Sequence, residues 1–478
     1  MDKTLIKNYL YNILYQLVKV VMPLVIVPYT MSHLGEKVLG ISDFAGNVAS
    51  WFILFGILGV NLYGNKEIAK VRDDKEKLNK TFFEILFMQI FNMAIASFFY
   101  FLYVYFIVDD NKFIYYLYLF TMLASMLDIS WFFYGIEDFK VASLRNIFVK
   151  IIGVSLIMIF VKTPDDLWLY VLINSFSELI GQAIMFVQLR HIISFRKINF
   201  IQSYKKHIKS TIILFIPTIA ISVYTLLDQT MLGILTDDKA NVALYKASQG
   251  FVKMFLYFIT SIGSVMLPRI TNIYYNKGGK EEASKYINTT FRMALLLSIP
   301  MMFAMISTSP YFIPWYLPKQ LEIIKLIQYS SPIVVLISLS NVFGIQYLVP
   351  TGRNKEYSLS VTIGAVTNFI VNLILIPKLG GVGAAIGSVV AEFTVTAVQY
   401  YYVRNDISIN CKSYLFKYII AALAMFMVVI FIGNQMTASL LTNLVQAVLG
   451  AMTYFILLFI MKEDLLLSVS KKIFKRNH

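Results

Sequence analysis

The sequence predicts an all-α polytopic membrane protein with 14 transmembrane helices, arranged as two pseudo-symmetric six-helix lobes plus a C-terminal helix pair. Three observations predict it. Fourteen apolar stretches, each about long enough to cross a bilayer, fill nearly all of the 478 residues; the gaps between them alternate between lysine-rich and lysine-poor; and 58% of the residues are hydrophobic against 14% charged. A mean hydropathy of +0.68 excludes a water-soluble globule, whose surface would need far more charge.

A spanning helix needs roughly 20 mostly apolar residues, because the hydrocarbon core is ~30 Å thick and a helix rises ~1.5 Å per residue. The first span, 8–30, follows Lys3 and Lys7 and contains Pro23. It is too long for a signal-peptide core and meets no small-residue cleavage site, so it is expected to be retained. Spans 39–61 and 82–108 flank a basic gap carrying Lys66 to Lys80; spans 113–135, 141–161 and 167–189 complete the first six. The basic stretch 190–210 then separates them from spans 211–235, 241–267, 291–316, 322–349, 357–377 and 382–403, with Pro217 in the seventh and Pro300 in the ninth. Proline removes a backbone hydrogen bond and permits bending, which suits helices that move.

Weak internal similarity supports two halves. The second span exits into Tyr63-Gly64-Asn65-Lys66-Glu67 and the chain re-enters at Thr81-Phe82; the eighth exits into Pro268-Arg269 and the chain re-enters at Thr290-Phe291. Spans four and ten end in loops carrying Gly135 and Gly352. The division reads as an N-terminal lobe (1–189), an inter-lobe linker (190–210), a C-terminal lobe (211–403), and a last segment (404–478) holding spans 414–433 and 437–461 and a basic tail. Such repeats are common in transporters, with the substrate site between the halves. The lysine-poor loops are too short to fold into a domain, which counts against a polymerase or glycosyltransferase working on exported polymers.

The formal net charge of +15 is distributed by topology. Thirty of the 42 basic residues, Arg145 among them, lie in or at the edges of the gaps on one side and seven on the other, while Lys19, Lys150, Lys246, Lys253 and Arg292 lie within spans. By the positive-inside rule the basic side is cytoplasmic, with both termini there, as in a multi-pass protein of the bacterial cell membrane. The excess is attracted to anionic inner-leaflet lipid and not to nucleic acid. Cys411 is the single cysteine, which excludes an intramolecular disulfide or a cysteine metal cluster. His33, His191, His207 and His478 show no metal-ligand spacing, and no cofactor or catalytic motif is read.

At this level the chain resembles the polysaccharide-repeat-unit flippases of the Wzx type, within the multidrug/oligosaccharidyl-lipid/polysaccharide exporter superfamily. The resemblance covers about residues 8–400. It rests on Pro23, Pro28-Tyr29 and Leu34-Gly35; on Tyr63-Gly64, Glu67-Ile68-Ala69 and Arg72-Asp73; and on Trp131-Phe132-Phe133 with Gly135 and Glu137. Later matches are Phe215-Ile216-Pro217 with Tyr224 and Asp228, Pro350 and Gly352, Gly364-Ala365, Asn368 and Asn372, Ile376-Pro377, Gly383-Ala384-Ala385-Ile386 and Ala391-Glu392. The family often has an arginine where this chain has Ser32-His33. The resemblance implies two lobes around a central cavity. It also implies movement of an undecaprenyl-pyrophosphate-linked oligosaccharide between leaflets for capsule or O-antigen synthesis, beside a polymerase and glycosyltransferases.

Charge at mid-bilayer costs ~3 kcal/mol per residue on insertion scales, so such residues usually face a cavity or pair. Lys19, Lys150 and Lys253 each lie eleven or twelve residues below the lysine-poor end of a span. At ~1.5 Å per residue that is ~17–18 Å, near the midplane. A pyrophosphate cannot cross hydrocarbon uncompensated, and ammonium groups in a low-dielectric cavity attract it strongly. The expected site is therefore a cationic cavity on Lys19 and Lys253, with Lys150 as a third member and Tyr15 and Tyr224 stacking on sugar rings. Glu178 is level with Lys150, so a structural ion pair competes there; Asp228 and Lys246 offer a similar pair. Asp128, Asp228, Glu178 and Glu392 are the coupling-ion candidates, with H⁺, Na⁺ and membrane potential left open as the driving force. A cation-coupled drug antiporter of the same superfamily is the main alternative, and it predicts a carboxylate-dominated cavity.

Overall fold

A computed structural model describes residues 18, 21–190, 192–194, 199–276, 279–407 and 411–467. Among these the chain is helical, with no strand. The reason is the solvent: in lipid each backbone N–H and C=O must be satisfied within its own segment. Helix α1 (21–33) leads into α2 (Glu36–Ile57), α3 (Val60–Val71), α4 (Lys75–Phe106), α5 (Lys112–Met126), α6 (Ser130–Gly135), α7 (Phe139–Phe160), α8 (Leu167–Leu189) and α9 (Phe200–Leu235). Then come α10 (Ala240–Asn276), α11 (Gly279–Tyr316), α12 (Glu322–Ser330), α13 (Pro332–Ser340), a π-helical turn (Asn341–Leu348), α14 (Asn354–Leu379), α15 (Gly381–Val403), α16 (Lys412–Gln435) and α17 (Leu440–Ile460).

Eleven helical stretches among the described residues are long and apolar enough to span a membrane. Helices α1, α9 and α10 fall at the three remaining positions that the sequence assigns. The starts are fixed by local chemistry. Asp74 accepts from the Glu76 and Lys77 amides to cap α4, Asn199 accepts from the Gln202 amide to cap α9, and Thr163 with Asp166 forms a reciprocal capping box before α8.

The structure refines three sequence readings. The second span breaks at Leu58-Gly59, both at positive φ (49° and 77°), and restarts as α3 where a loop was read. The fourth span breaks at 127–129 into α5 and α6. Residues 200–210, read as linker, are the first turns of α9, because the Asn199 cap starts the helix early.

Packing divides the chain into two compact units, Met1–Ala243 and Leu244–His478. In the first, the core gathers at the lysine-rich end, where Tyr63 and Ile68 of α3, Phe82 and Ile85 of α4, Trp131 to Phe133 of α6 and Met185 of α8 interlock. Helix α9 joins this unit through α2: Asn47 Nδ2 donates to the Leu226 carbonyl (2.9 Å) and Trp51 Nε1 to Thr230 Oγ1 (2.8 Å). In the second unit α14 and α15 approach through Gly383 and Gly387, a small-residue pair four apart that lets backbones touch. Helices α16 and α17 dock on α11: Tyr454 Oη donates to the Leu296 carbonyl (2.8 Å), and Arg292 reaches Glu463 and Tyr418. Bulky side chains such as Phe98, Phe106, Phe416 and Phe431 stay exposed, as a lipid-facing surface requires.

Candidate functional site

The best-formed polar site lies within the first unit and begins at the α5–α6 break. Interrupting a helix frees carbonyls, which at membrane depth must find protein donors or line a cavity. Gln89 of α4 supplies the donor: its Nε2 lies 3.1, 3.1 and 2.9 Å from the carbonyl oxygens of Ser125, Met126 and Asp128. Its Oε1 accepts from Trp131 Nε1 at 2.9 Å, so one amide holds both sides of the break. The break turns Asp128 inward, where its Oδ1 accepts from the Ser130 amide (2.9 Å) and the Ser130 hydroxyl. Ser130 Oγ in turn accepts from Arg145 Nη2 at 3.0 Å. Arg145, on α7, is 9% exposed.

These groups form one wall of a cavity of about 600 Å³. Helix α7 adds Asn146, Lys150 and Gly153; α8 adds Tyr170, Asn174, Glu178 and Gln182; α1 adds Met22, Pro23 and Ile26. The α8 residues recur every fourth position and so share one helix face. Two cations, Arg145 and Lys150, face two carboxylates, Asp128 and Glu178, across the same space. Lys150 and Glu178 line it together, and the Lys150 ammonium acts electrostatically on the Glu178 carboxyl. Asn174 Nδ2 donates to the Tyr170 carbonyl (2.9 Å), while Gln182, only 6% exposed, keeps its Oε1 without a hydrogen-bond partner among the described residues.

The structure therefore brings together Lys150, Asp128 and Glu178 of the sequence-derived residues. Lys253 is exposed on α10, whereas Asp228 of α9 and Glu392 of α15 are buried, and none of the three lines this cavity. Lys19 and Tyr15 lie outside the described residues, as does the side chain of Tyr224. Sequence reading missed Arg145, assigned to a basic loop, and missed Asn146, Asn174 and Gln182. The four-residue recurrence of Tyr170, Asn174, Glu178 and Gln182 was the available signal.

A second buried polar cluster joins α3, α4 and α9 near the lysine-rich end. His207 Nε2 lies 2.8 Å from Glu84 Oε2, Lys206 Nζ donates to the same oxygen at 2.7 Å, and Tyr63 Oη is 2.6 Å from His207 Nδ1. Burial lowers the His207 pKa, and the Glu84 carboxylate only partly opposes it.

An all-helical, multi-pass chain whose span-borne charges line an internal cavity has the construction of a membrane transporter fold. The chain belongs to the polysaccharide biosynthesis protein family, whose model matches residues 5–274, and the MatE model matches residues 213–377. That places it in the multidrug/oligosaccharidyl-lipid/polysaccharide superfamily. Among its relatives, the "Putative O-antigen transporter" of Escherichia coli (strain K12) is 24% identical over 416 residues, covering 85% of this chain and 98% of its own. The protein of the same name from Shigella dysenteriae is 24% identical over 391 residues, covering 78% and 93%. Of solved structures, the lipid II flippase MurJ in an inward closed conformation superposes with a TM-score of 0.78 at 16% identity, covering 96% of this chain and all of that one. An inward-facing multidrug resistance MATE family transporter gives 0.58 at 11% identity, covering 81% and 97%.

Proposed function

We propose that this protein is a flippase, not an enzyme, and moves undecaprenyl-pyrophosphate-linked oligosaccharide repeat units from the inner to the outer leaflet for capsule or O-antigen synthesis. The observation that carries the reading is that Lys150, Arg145, Asp128 and Glu178, all in or beside apolar spans of a polysaccharide-family chain, line a cavity instead of facing lipid. Charged groups in such a position mark a pathway for a polar passenger. Lys19 and Lys253, at the depth of Lys150, supply the cations that compensate the pyrophosphate. Tyr15 and Tyr224 stack on sugars, and one of Asp128, Asp228, Glu178 and Glu392 carries the coupling ion. Lobes 1–189 and 211–403 alternate access, with the basic side and both termini cytoplasmic and the polymerase and glycosyltransferases acting on either side of the step.

The test is export. Replacing Lys19 or Lys253 by alanine is expected to reduce surface polysaccharide at least about tenfold where the ammonium meets the phosphates, the effect of roughly 1.4 kcal/mol. Normal polysaccharide in both strains would reject the cationic path. The MatE match over 213–377 favours a second reading, a cation-coupled drug antiporter. It requires drug resistance to fall on deletion while surface polysaccharide stays intact.

A further inference from the structure

The cavity of the first unit is unsuited to the anionic end of the proposed cargo. Its two cations are matched by two carboxylates, and in a low-dielectric site Glu178 and Asp128 would repel a pyrophosphate about as strongly as Lys150 and Arg145 attract it. What the lining does offer is neutral hydrogen bonding. On α8, Asn174, Glu178 and Gln182 present acceptors at successive four-residue steps, ~6 Å apart at ~1.5 Å per residue. Gln182 Oε1 is buried with no donor, a state that costs free energy until a ligand hydroxyl or water supplies one. Across from them, the Lys150 ammonium reaches the same space and acts electrostatically on Glu178. Tyr134 and Tyr170 add aromatic surface to the wall. A ligand that both donates and accepts at several points, carries no net charge and has apolar C–H faces for aromatic rings fits this lining. That is the chemistry of a sugar.

Resting on the flippase reading, we propose that the α8 face of Asn174, Glu178 and Gln182, opposed by Lys150, is the sugar-binding site that selects the glycan of the cargo, while the pyrophosphate is held elsewhere. The site then sets which repeat unit is carried, and the cationic residues outside it set that a pyrophosphate carrier is bound at all. Glu178 accepts from paired hydroxyls, Gln182 accepts one at the deep end of the face, and Asn174 reads the sugar at the lysine-poor end.

The experiment uses the full chain in lipid nanodiscs and two probes, bare undecaprenyl pyrophosphate and undecaprenyl-pyrophosphoryl N-acetylglucosamine, with affinities read by native mass spectrometry. Wild type is expected to prefer the glycosylated probe by about tenfold, the worth of one or two net hydrogen bonds. Asn174→Leu and Gln182→Leu are each expected to collapse that ratio toward one, whereas Lys253→Ala weakens both probes alike and keeps the ratio. Asn174 faces the cavity and bonds only within its own helix, so Asn174→Leu decides the matter if Gln182→Leu does not fold. A wild-type ratio of one, or a ratio that survives both leucine variants, overturns the sugar site and leaves the carrier reading standing. If neither probe binds wild type, the carrier reading falls and the sugar site falls with it.

Discussion

Gln89 shows how much one side chain holds in this fold. It closes three carbonyls freed by the α5–α6 break and accepts from the Trp131 indole, and it is essentially without solvent contact. Leucine has nearly its shape but none of its bonds, so Gln89→Leu takes the donor from the Met126 and Asp128 carbonyls and the acceptor from the indole N–H, while the Ser125 carbonyl keeps the Asp128 amide. A buried unsatisfied group costs roughly 1–3 kcal/mol, and this variant creates several, so a loss of at least about 2 kcal/mol is expected. Thermal unfolding in detergent measures it: a midpoint within a degree of wild type would show that the clamp does not hold the break. The same residue explains what the sequence hides. Lys150, Glu178 and Asp128 were legible as charges at membrane depth because insertion penalises them wherever they occur. Arg145 was not, since it sits one turn into its span and reads as an anchor at the basic edge; the turn made by Asp128 and Ser130 places a hydroxyl partner beside it. That turn is set by an amide 39 residues earlier in the chain, a relation that no local pattern contains.

At the scale of elements, eleven of the apolar stretches coincide, among the described residues, with helices or pairs of helices long enough to span, because lipid leaves the backbone no other solution. Their internal breaks were less legible. Gly59 signals the one between α2 and α3, but Leu127-Asp128-Ile129 contains neither glycine nor proline. The docking of the terminal pair was likewise invisible, because Arg292 read only as one more cation inside a span. In the structure Arg292 Nε donates to Glu463 Oε1 at 2.8 Å, Tyr418 Oη donates to the same oxygen at 2.8 Å, and the Leu466 amide donates to Oε2 at 2.8 Å. Glu463 is 0% exposed, so this arrangement ties the end of α17 to α11 and α16. Arg292→Met strands a buried carboxylate and is expected to cost about 3–5 kcal/mol, whereas Arg292→Met with Glu463→Met removes both charges and costs much less. Chemical or thermal unfolding of the two variants distinguishes them. Equal losses would mean that the charges are not coupled and that packing around Tyr454 alone holds the pair.

For the whole molecule, the strongest sequence signal is one that no packing detail carries: thirty basic residues on one side of the spans and seven on the other. That bias predicts a cytoplasmic basic side, because positively charged loops resist translocation, and loops as short as these have no folded domain to override it. The single cysteine provides a direct test. Cys411 is partly exposed just before α16, on the lysine-rich side, and Asp110 is exposed between α4 and α5 on the lysine-poor side. A membrane-impermeant maleimide is expected to leave Cys411 unlabelled in intact spheroplasts and to label it once the membrane is opened. In a Cys411→Ser background, Asp110→Cys is expected to label in intact spheroplasts. The two sites are separated by an odd number of crossings, so they must report opposite sides whichever way the protein is inserted. The reverse pattern would invert the protein in the membrane. A flippase so inverted would present its basic face to the outer leaflet, where cargo arrives, and the inner-to-outer direction proposed for transport would fall.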